Sequence, residues 1–521
     1  MTRVESLRVI SRLTHRFKAG PPTASSPPPR SSGEAVSQSE APTAKDRADL
    51  ALQNLKQEAP HTAKPAKPGL FPILGAAVML GLTGLGLVQG AANHQPQPVE
   101  TELVTETTRQ TQQQATDLLT PTDVSPEMHV AGRQGHLLGS GQILKFDQYP
   151  GLRNQNLSEQ IPGAPNFRQV ENTDVYGVAQ PTVDGMRQVL DRLNGKEQTV
   201  VWTSMREEPV VYINGRSFSL REMAHPFENS DDFTGAGGSQ VERTEQQLKA
   251  EVLAEARANG GRVLIHDESP DGDVVGQWVE VTPESVQTTR EVYDGLQAEG
   301  YKVDYARVPV TDEKTPEAGD LQSLVERVSQ AEPGASLVFN CHAGRGRTTT
   351  AMVAAQLIQR AQNPELQRDF VRMDSVRQDI REQGRYEQGD YRLILSLVRT
   401  LDNGIAAKSE TDAVLDLTGD MQNLRTDINR YREKSLSAED PSRAQRAEST
   451  GLDYLHRYHT LITFNQYAKE QAPQGFPITF EQWLEERPEL TRMLESFELA
   501  MRTPGGETLP GQVPQQDVRM A

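Results

Sequence analysis

The chain has 521 residues and a formal net charge of −18 at pH 7, long enough for one large domain or two medium ones around a substantial core. Its acidity, with a sequence pI near 5.2, argues against nucleic acid as the main partner, so a phosphorylated ligand needs a local basic site. The single cysteine, Cys341, excludes an intramolecular disulfide and a cysteine-based metal cluster; it is either a small buried apolar residue or a reactive thiol.

Residues 1–19 are basic and carry Val4, Leu7, Ile10, Leu13 and Phe17 at near-helical spacing. The pattern reads equally as an amphipathic targeting or membrane-surface segment and as a surface helix. To Lys67 the chain is rich in Pro, Ser, Ala and charge, so 1–67 is expected to be disordered. Residues 68–93 form a transmembrane or signal-like segment by composition. No Asp, Glu, Lys or Arg occurs from 68 to 99, and Leu70 to Val88 is apolar apart from small residues, Pro72 and Thr83. A spanning helix takes about 20 such residues. Lys64 and Lys67 precede the run and Glu100, Glu102 and Glu106 follow it, which orients the N-terminus toward the cytoplasm. The expected localisation is a single-pass membrane or exported protein with the part that follows outside the cytoplasm, anchored through 70–88. A secreted effector delivered into a host cell is the alternative.

A Gln/Thr-rich linker occupies 94–124, and a globular pattern follows. Val200 to Thr203 and Pro209 to Leu220 read as strands, with Asn214-Gly215 as a hairpin turn. Arg262 to Ile265 and Tyr305 to Val310 are further strands, while Pro283 to Glu299 and Asp320 to Glu332 read as helices. This alternation predicts an α/β fold whose central mixed sheet is largely parallel and flanked by helices. Residues 125–404 are assigned to it. A helical extension covers 405–500, with amphipathic stretches around Leu415 to Tyr431 and Leu452 to Tyr467, and 501–521 is a loose tail.

Ser336 to Asn340 is a short apolar run, and Thr348 to Gln359 has helical composition. Between them stands Cys341-His-Ala-Gly-Arg-Gly-Arg347-Thr348, a cysteine and an arginine separated by five residues in a strand–loop–helix setting. Gly344 and Gly346 let the backbone curl so that successive N–H groups, including those of Ala343 and Arg345, face one anion. The helix start adds partial positive charge that favours the thiolate of Cys341. Arg347 offers a bidentate fork to two phosphate oxygens, and Thr348 a hydrogen bond to the sulfur. The competing reading, a core cysteine beside a glycine turn, leaves the Gly-x-Gly-Arg-Thr run without a packing reason.

Phosphoryl transfer to sulfur needs a general acid for the leaving oxygen and then a base for water. Asp312 follows the strand that ends near Val310 and is the candidate; Glu313 is the fallback. His342 and Arg345 add cations inside the loop, and Lys314, Arg206 and Arg221 are weaker candidates for a basic rim suited to several phosphates on one ring. His266-Asp-Glu-Ser-Pro-Asp271-Gly-Asp273 lacks metal-ligand spacing and reads better as a solvated loop. No metal or other cofactor is expected.

From about Ile143 to Leu494 the chain resembles the protein-tyrosine-phosphatase-like phytases and paladin-type proteins of the cysteine phosphatase superfamily. The resemblance rests on Ile143-Leu144-Lys145, Pro165-Asn-Phe-Arg168, Val175-Tyr-Gly-Val-Ala-Gln-Pro181-Thr, Arg206-Glu-Glu-Pro209 and Tyr212-Ile-Asn-Gly215. Leu220-Arg-Glu222, Thr311-Asp312, the cysteine loop, Phe464-Asn465 and Trp483 complete it. It implies metal-independent removal of phosphate from myo-inositol polyphosphates through a cysteinyl-phosphate, with Cys341 as nucleophile, Arg347 at the transition state and Asp312 as acid. Two departures stand out: Asn340 occupies the position before the nucleophile where most active members have His, and the chain has one cysteine loop where paladin-type chains often repeat the unit. The paired loop cations also resemble those of tensin-type phosphoinositide phosphatases. A protein-tyrosine, dual-specificity or phosphoinositide phosphatase, and a pseudophosphatase that binds phosphorylated ligands, are therefore the alternatives to an inositol polyphosphate phosphatase.

Overall fold

The computed structural model describes residues 125–148, 157, 161–363, 366 and 386–494. The N-terminal segment 1–67, the apolar segment 68–93, the linker 94–124 and the tail 501–521 lie outside the described residues.

After helix α1 (Pro126–Ala131) come β1 (Gln142–Phe146), β2 (Arg168–Gln169), β3 (Val175–Val178), α2 (Val183–Arg192), β4 (Val200–Arg206), β5 (Val210–Ile213) and β6 (Arg216–Glu222). Next are α3 (Gly238–Ala258), β7 (Arg262–Glu268), β8 (Val274–Glu280), β9 (Val286–Thr288), α4 (Thr289–Ala298), β10 (Val303–Val310), α5 (Ala318–Ser329), β11 (Ser336–Asn340) and α6 (Gly346–Gln362). Five helices close the described chain: α7 (Arg392–Thr400), α8 (Gly404–Leu417), α9 (Leu424–Ser437), α10 (Pro441–Gln471) and α11 (Phe480–Glu485).

A five-stranded sheet has the order β10-β4-β11-β3-β2, parallel throughout except for the short β2 at its edge. This is the mixed, largely parallel sheet expected from the sequence. Every residue of β4 and β11 is buried, as befits central strands covered on both faces. Alternate side chains of β4 divide between two cores. Val200 and Trp202 join α2 and α4 on one face, while Val201 and Met205 join α5, α6 and the C-terminal helices on the other. The parallel strands point their C-terminal ends toward one edge, and both the cysteine loop and the Asp312 loop leave from that edge.

A second, mostly antiparallel sheet has the order β8-β7-β1-β6-β5-β9 and packs against α3. Its hairpin turns on Asn214 and Gly215, with φ of 51° and 77°, the left-handed pair that matches strand twist. Two of its other strands, β8 and β9, were illegible in the sequence. Val286–Thr288, expected to be helical, pairs with β5, and the helix starts only at Thr289, where Thr288 and Glu291 form a capping box. β8 pairs with β7 across the 269–273 turn, and no group of three His, Cys, Asp or Glu able to hold a metal occurs among the described residues.

The C-terminal region is helical, as expected, but the stretch from Leu415 to Tyr431 is not one helix: it breaks between α8 and α9. The expectation of a single-pass membrane protein is overturned. Among the described residues no helix is long and apolar enough to cross a membrane. The 31-residue α10 carries charged residues along its length.

Candidate active site

The cysteine loop joins β11 to α6, and neighbouring segments hold its backbone from outside. Asn166 Nδ2 donates to Ala343 O (2.9 Å) and Arg168 Nη1 donates to Gly344 O (2.8 Å). Arg168 Nη2 reaches Thr349 Oγ1 (2.8 Å), and Gln180 N donates to His342 O (2.9 Å). These contacts explain the Pro165-Asn-Phe-Arg168 and Gln180-Pro181 motifs physically. With the carbonyls tied outward, the loop N–H groups are left to the concave side. Gly344 has φ 68°, and a Cβ there would stand 2.6 Å from Ala179 N. Only glycine fits.

Cys341, 3% exposed, opens into a cleft of about 490 Å³ also lined by His342, Ala343, Arg345, Gly346 and Arg347. Asp312 and Glu313 line it from the loop after β10, so residues distant in sequence converge on the cysteine. Thr348 is fully buried and its hydroxyl makes no hydrogen bond among the described residues. Lys314 does not line the cleft; its Nζ pairs with Asp453 on α10 at 2.8 Å.

Arg347 is clamped. Its Nη1 donates to Glu208 Oε1 (2.9 Å) and Val310 O (3.2 Å), and its Nε stands 3.2 Å from Asp312 Oδ1. Burial disfavours its charge, but Asp312, Glu208 and Cys341 together hold its ionisation above the ordinary arginine value. Glu208 in turn pairs with Arg206 Nε at 3.0 Å, and Arg206 forks onto Asp147 at 2.9 and 3.0 Å. Burial pushes the Glu208 carboxyl up, but Arg347, Arg206 and Arg221 outweigh it and hold it at about 2. Arg206 is thus a buried structural cation beneath Arg347. Arg221 is buried too and donates to Glu228 O (2.8 Å) and Asn229 Oδ1.

His342 departs from the sequence expectation of a loop cation. Burial, reinforced by Arg206, Arg221, Arg347 and Lys145, holds it well below the usual histidine range and so neutral at pH 7. Asn340, 2% exposed, is committed to its surroundings: Trp202 Nε1 donates to its Oδ1 (3.0 Å), and its Nδ2 donates to Gln180 Oε1 (3.2 Å).

The outer wall comes from the C-terminal helices, which the sequence did not connect with the loop. Asp420, Met421 and Gln422 of the α8–α9 break, Asp427, Arg430 and Tyr431 of α9, and Tyr454 and Arg457 of α10 line the cleft. Arg457 is 1% exposed; its Nε and Nη2 donate to Lys314 O (3.1 and 2.7 Å), while Nη1 makes no hydrogen bond among the described residues. Tyr431 and Tyr454 meet edge to face at 5.4 Å. The wall thus sets Arg345, Arg347, Arg430 and Arg457 against Asp312, Glu313, Asp420 and Asp427. Such a site can hold one oxyanion tightly over Cys341 and present a donor, an acceptor and aromatic surface beside it.

A family model described as inositol hexakisphosphate, that of the protein-tyrosine-phosphatase-like phytases, matches residues 203–359. Paladin of Homo sapiens is 28% identical over 336 residues, which cover 62% of this chain and 35% of that protein. Paladin of Xenopus tropicalis is 25% identical over 401 residues, 72% of this chain and 44% of that protein. The chain therefore spans less than half the length of these curated relatives. Among solved structures, the tandemly repeated protein tyrosine phosphatase-like phytase from Mitsuokella multacida aligns with a TM-score of 0.40 at 16% identity, covering 66% of this chain and 49% of that one.

Proposed function

The chain belongs to the protein-tyrosine-phosphatase-like phytase and paladin family, and on that premise we propose that it is a phosphatase removing phosphate from myo-inositol polyphosphates through a cysteinyl-phosphate. The observation that carries the reading is the convergence of Cys341, Arg347 and Asp312 on one cleft, with Arg347 fixed from behind by Glu208. Cys341 attacks phosphorus as the thiolate while the bond to the leaving oxygen breaks, and Asp312 gives that oxygen its proton. Loop N–H groups and Arg347 hold the three equatorial oxygens. Water then attacks the cysteinyl-phosphate, Asp312 takes its proton, and the thiolate leaves.

The balance of charge on the wall bears on substrate. Four arginines facing four carboxylates suit a ring carrying a few phosphates better than one carrying six, since each added phosphate meets carboxylates as well as guanidinium groups. Membrane anchoring through 70–88 forms no part of the proposal. A second reading, an aryl phosphate such as phosphotyrosine, draws on the Tyr431–Tyr454 pair beside the loop. Phosphate release without added metal from inositol tetrakis- and hexakisphosphate and a phosphotyrosine peptide, with Cys341→Ser as control, tests both. Turnover of the inositol phosphates that vanishes in Cys341→Ser supports the first reading, and peptide turnover alone supports the second. Binding without turnover by the wild type removes the enzyme reading and leaves a phospholigand-binding scaffold.

A further inference from the structure

We infer that Asn229, oriented by the buried Arg221, is a positioning residue that holds Asp312 as a carboxylate docked against Arg347 and thereby sets the pH range over which Asp312 donates its proton. The inference rests on the proposed phosphatase reading and concerns a residue from the segment after β6, outside the cysteine and Asp312 loops.

The orientation follows from donor and acceptor inventory. Arg221 Nη1 donates to Asn229 Oδ1, and a guanidinium has no acceptor to offer. The amide oxygen of Asn229 must therefore face Arg221, which turns Nδ2 toward Asp312 Oδ2 at 2.9 Å. The other carboxylate oxygen accepts from Glu313 N at 3.1 Å and has Arg347 Nε at 3.2 Å. Asn229 Nδ2 and Glu313 N are hydrogen-bond donors to Asp312, whereas Arg347 Nε is an ion-pair neighbour that makes no hydrogen bond among the described residues. An N–H donor bonds more strongly to a carboxylate than to a neutral carboxyl, so losing the Asn229 amide weakens the ionised form more than the protonated one. The ionised form takes the proton from water in the second step, while the first step needs the protonated form. Asn229 is placed to weight the balance between them.

Other charges surround Asp312 as well. Arg347 faces it from α6 and Arg457 from α10, beside Asp453. Glu207, which accepts from Thr311 Oγ1 at 2.9 Å, and Glu208 approach from the β4–β5 turn, and Glu313 and Lys314 flank Asp312 on its own loop. Glu313 is raised above the usual carboxylate range by burial and by Asp312. Replacing Asn229 leaves these groups in place and removes one N–H donor that favours the carboxylate.

The test is kcat/KM against pH with phenyl phosphate, whose leaving oxygen needs a proton, for the wild type, Asn229→Ala and Asn229→Asp. The alkaline limb is expected to move up by about one pH unit in Asn229→Ala, the worth of one hydrogen bond to a charged group. It should move further in Asn229→Asp, which sets a second carboxylate against Asp312. A limb that stays put in both variants overturns the inference, whatever happens to the plateau. If the wild type releases no phosphate, the functional reading fails separately and the latch is read by tungstate calorimetry. Asn229→Ala then binds tungstate several-fold tighter because Arg347 is less engaged with Asp312; equal affinity overturns the latch.

Discussion

Replacing Glu208 by Gln probes the support under Arg347 without changing its shape. Glu208 is 3% exposed and accepts from Arg347 Nη1 at 2.9 Å with one oxygen and from Arg206 Nε at 3.0 Å with the other. A glutamine keeps one acceptor and turns an N–H₂ group toward the other guanidinium. Holding the carboxyl at about 2 rather than 4.5 corresponds to about 3 kcal/mol of stability, within the range for breaking a buried pair. The sign follows from the depressed value: the contribution is complete above about pH 4.5 and disappears as pH falls toward 2. Urea unfolding of both proteins from pH 7 down to pH 3 measures it. Glu208→Gln should be less stable by about 3 kcal/mol at neutral pH, with the gap narrowing below about pH 4.5. A gap under about 1 kcal/mol, or one that stays constant to pH 3, refutes the clamp, since a solvated pair is worth no more.

Three further outcomes follow from the same geometry. Asp312→Asn should slow phosphate release by about 10²–10⁴-fold with little change in thermal unfolding; an unchanged rate removes it from proton transfer. Gly344→Ala puts a methyl 2.6 Å from Ala179 N at φ 68° and should abolish turnover, with a loss of about 2 kcal/mol or more in denaturant unfolding; wild-type activity would contradict the described loop. Arg457→Met should raise KM for an inositol polyphosphate about tenfold or more while leaving p-nitrophenyl phosphate nearly unaffected, and equal losses on both substrates would place its role in folding instead.

What the sequence disclosed was local. The strand–cysteine loop–helix unit and the Asn214-Gly215 hairpin each lie within a few residues and carry their backbone chemistry in plain view. Other parts of the second sheet were hidden, because β8 is an edge strand whose Val274-Val-Gly-Gln-Trp-Val-Glu280 sequence does not alternate apolar and polar residues and β9 is a three-residue strand flush against a helix cap. Glu208, Asn229 and Arg457 are hidden as partners of the cleft for a related reason: each reaches it across a long chain separation. Glu208 lies within the Arg206-Glu-Glu-Pro209 run, but nothing in that run points to Arg347. Arg457 reads as one more charge on an amphipathic helix, and only the packing of α10 beside the cysteine loop turns it inward. The gap at 418–423 was hidden because helical periodicity continues on both sides of it.

The attachment of the Asp312 loop to α10 has a mechanical consequence. Lys314 is moored twice, by its carbonyl to Arg457 and by its ammonium to Asp453. A strap fastened at that end can pivot about the anchorage but cannot retract from the helix as a free flap would. Whatever unseats α10 would therefore loosen the hold on the Asp312 loop as well.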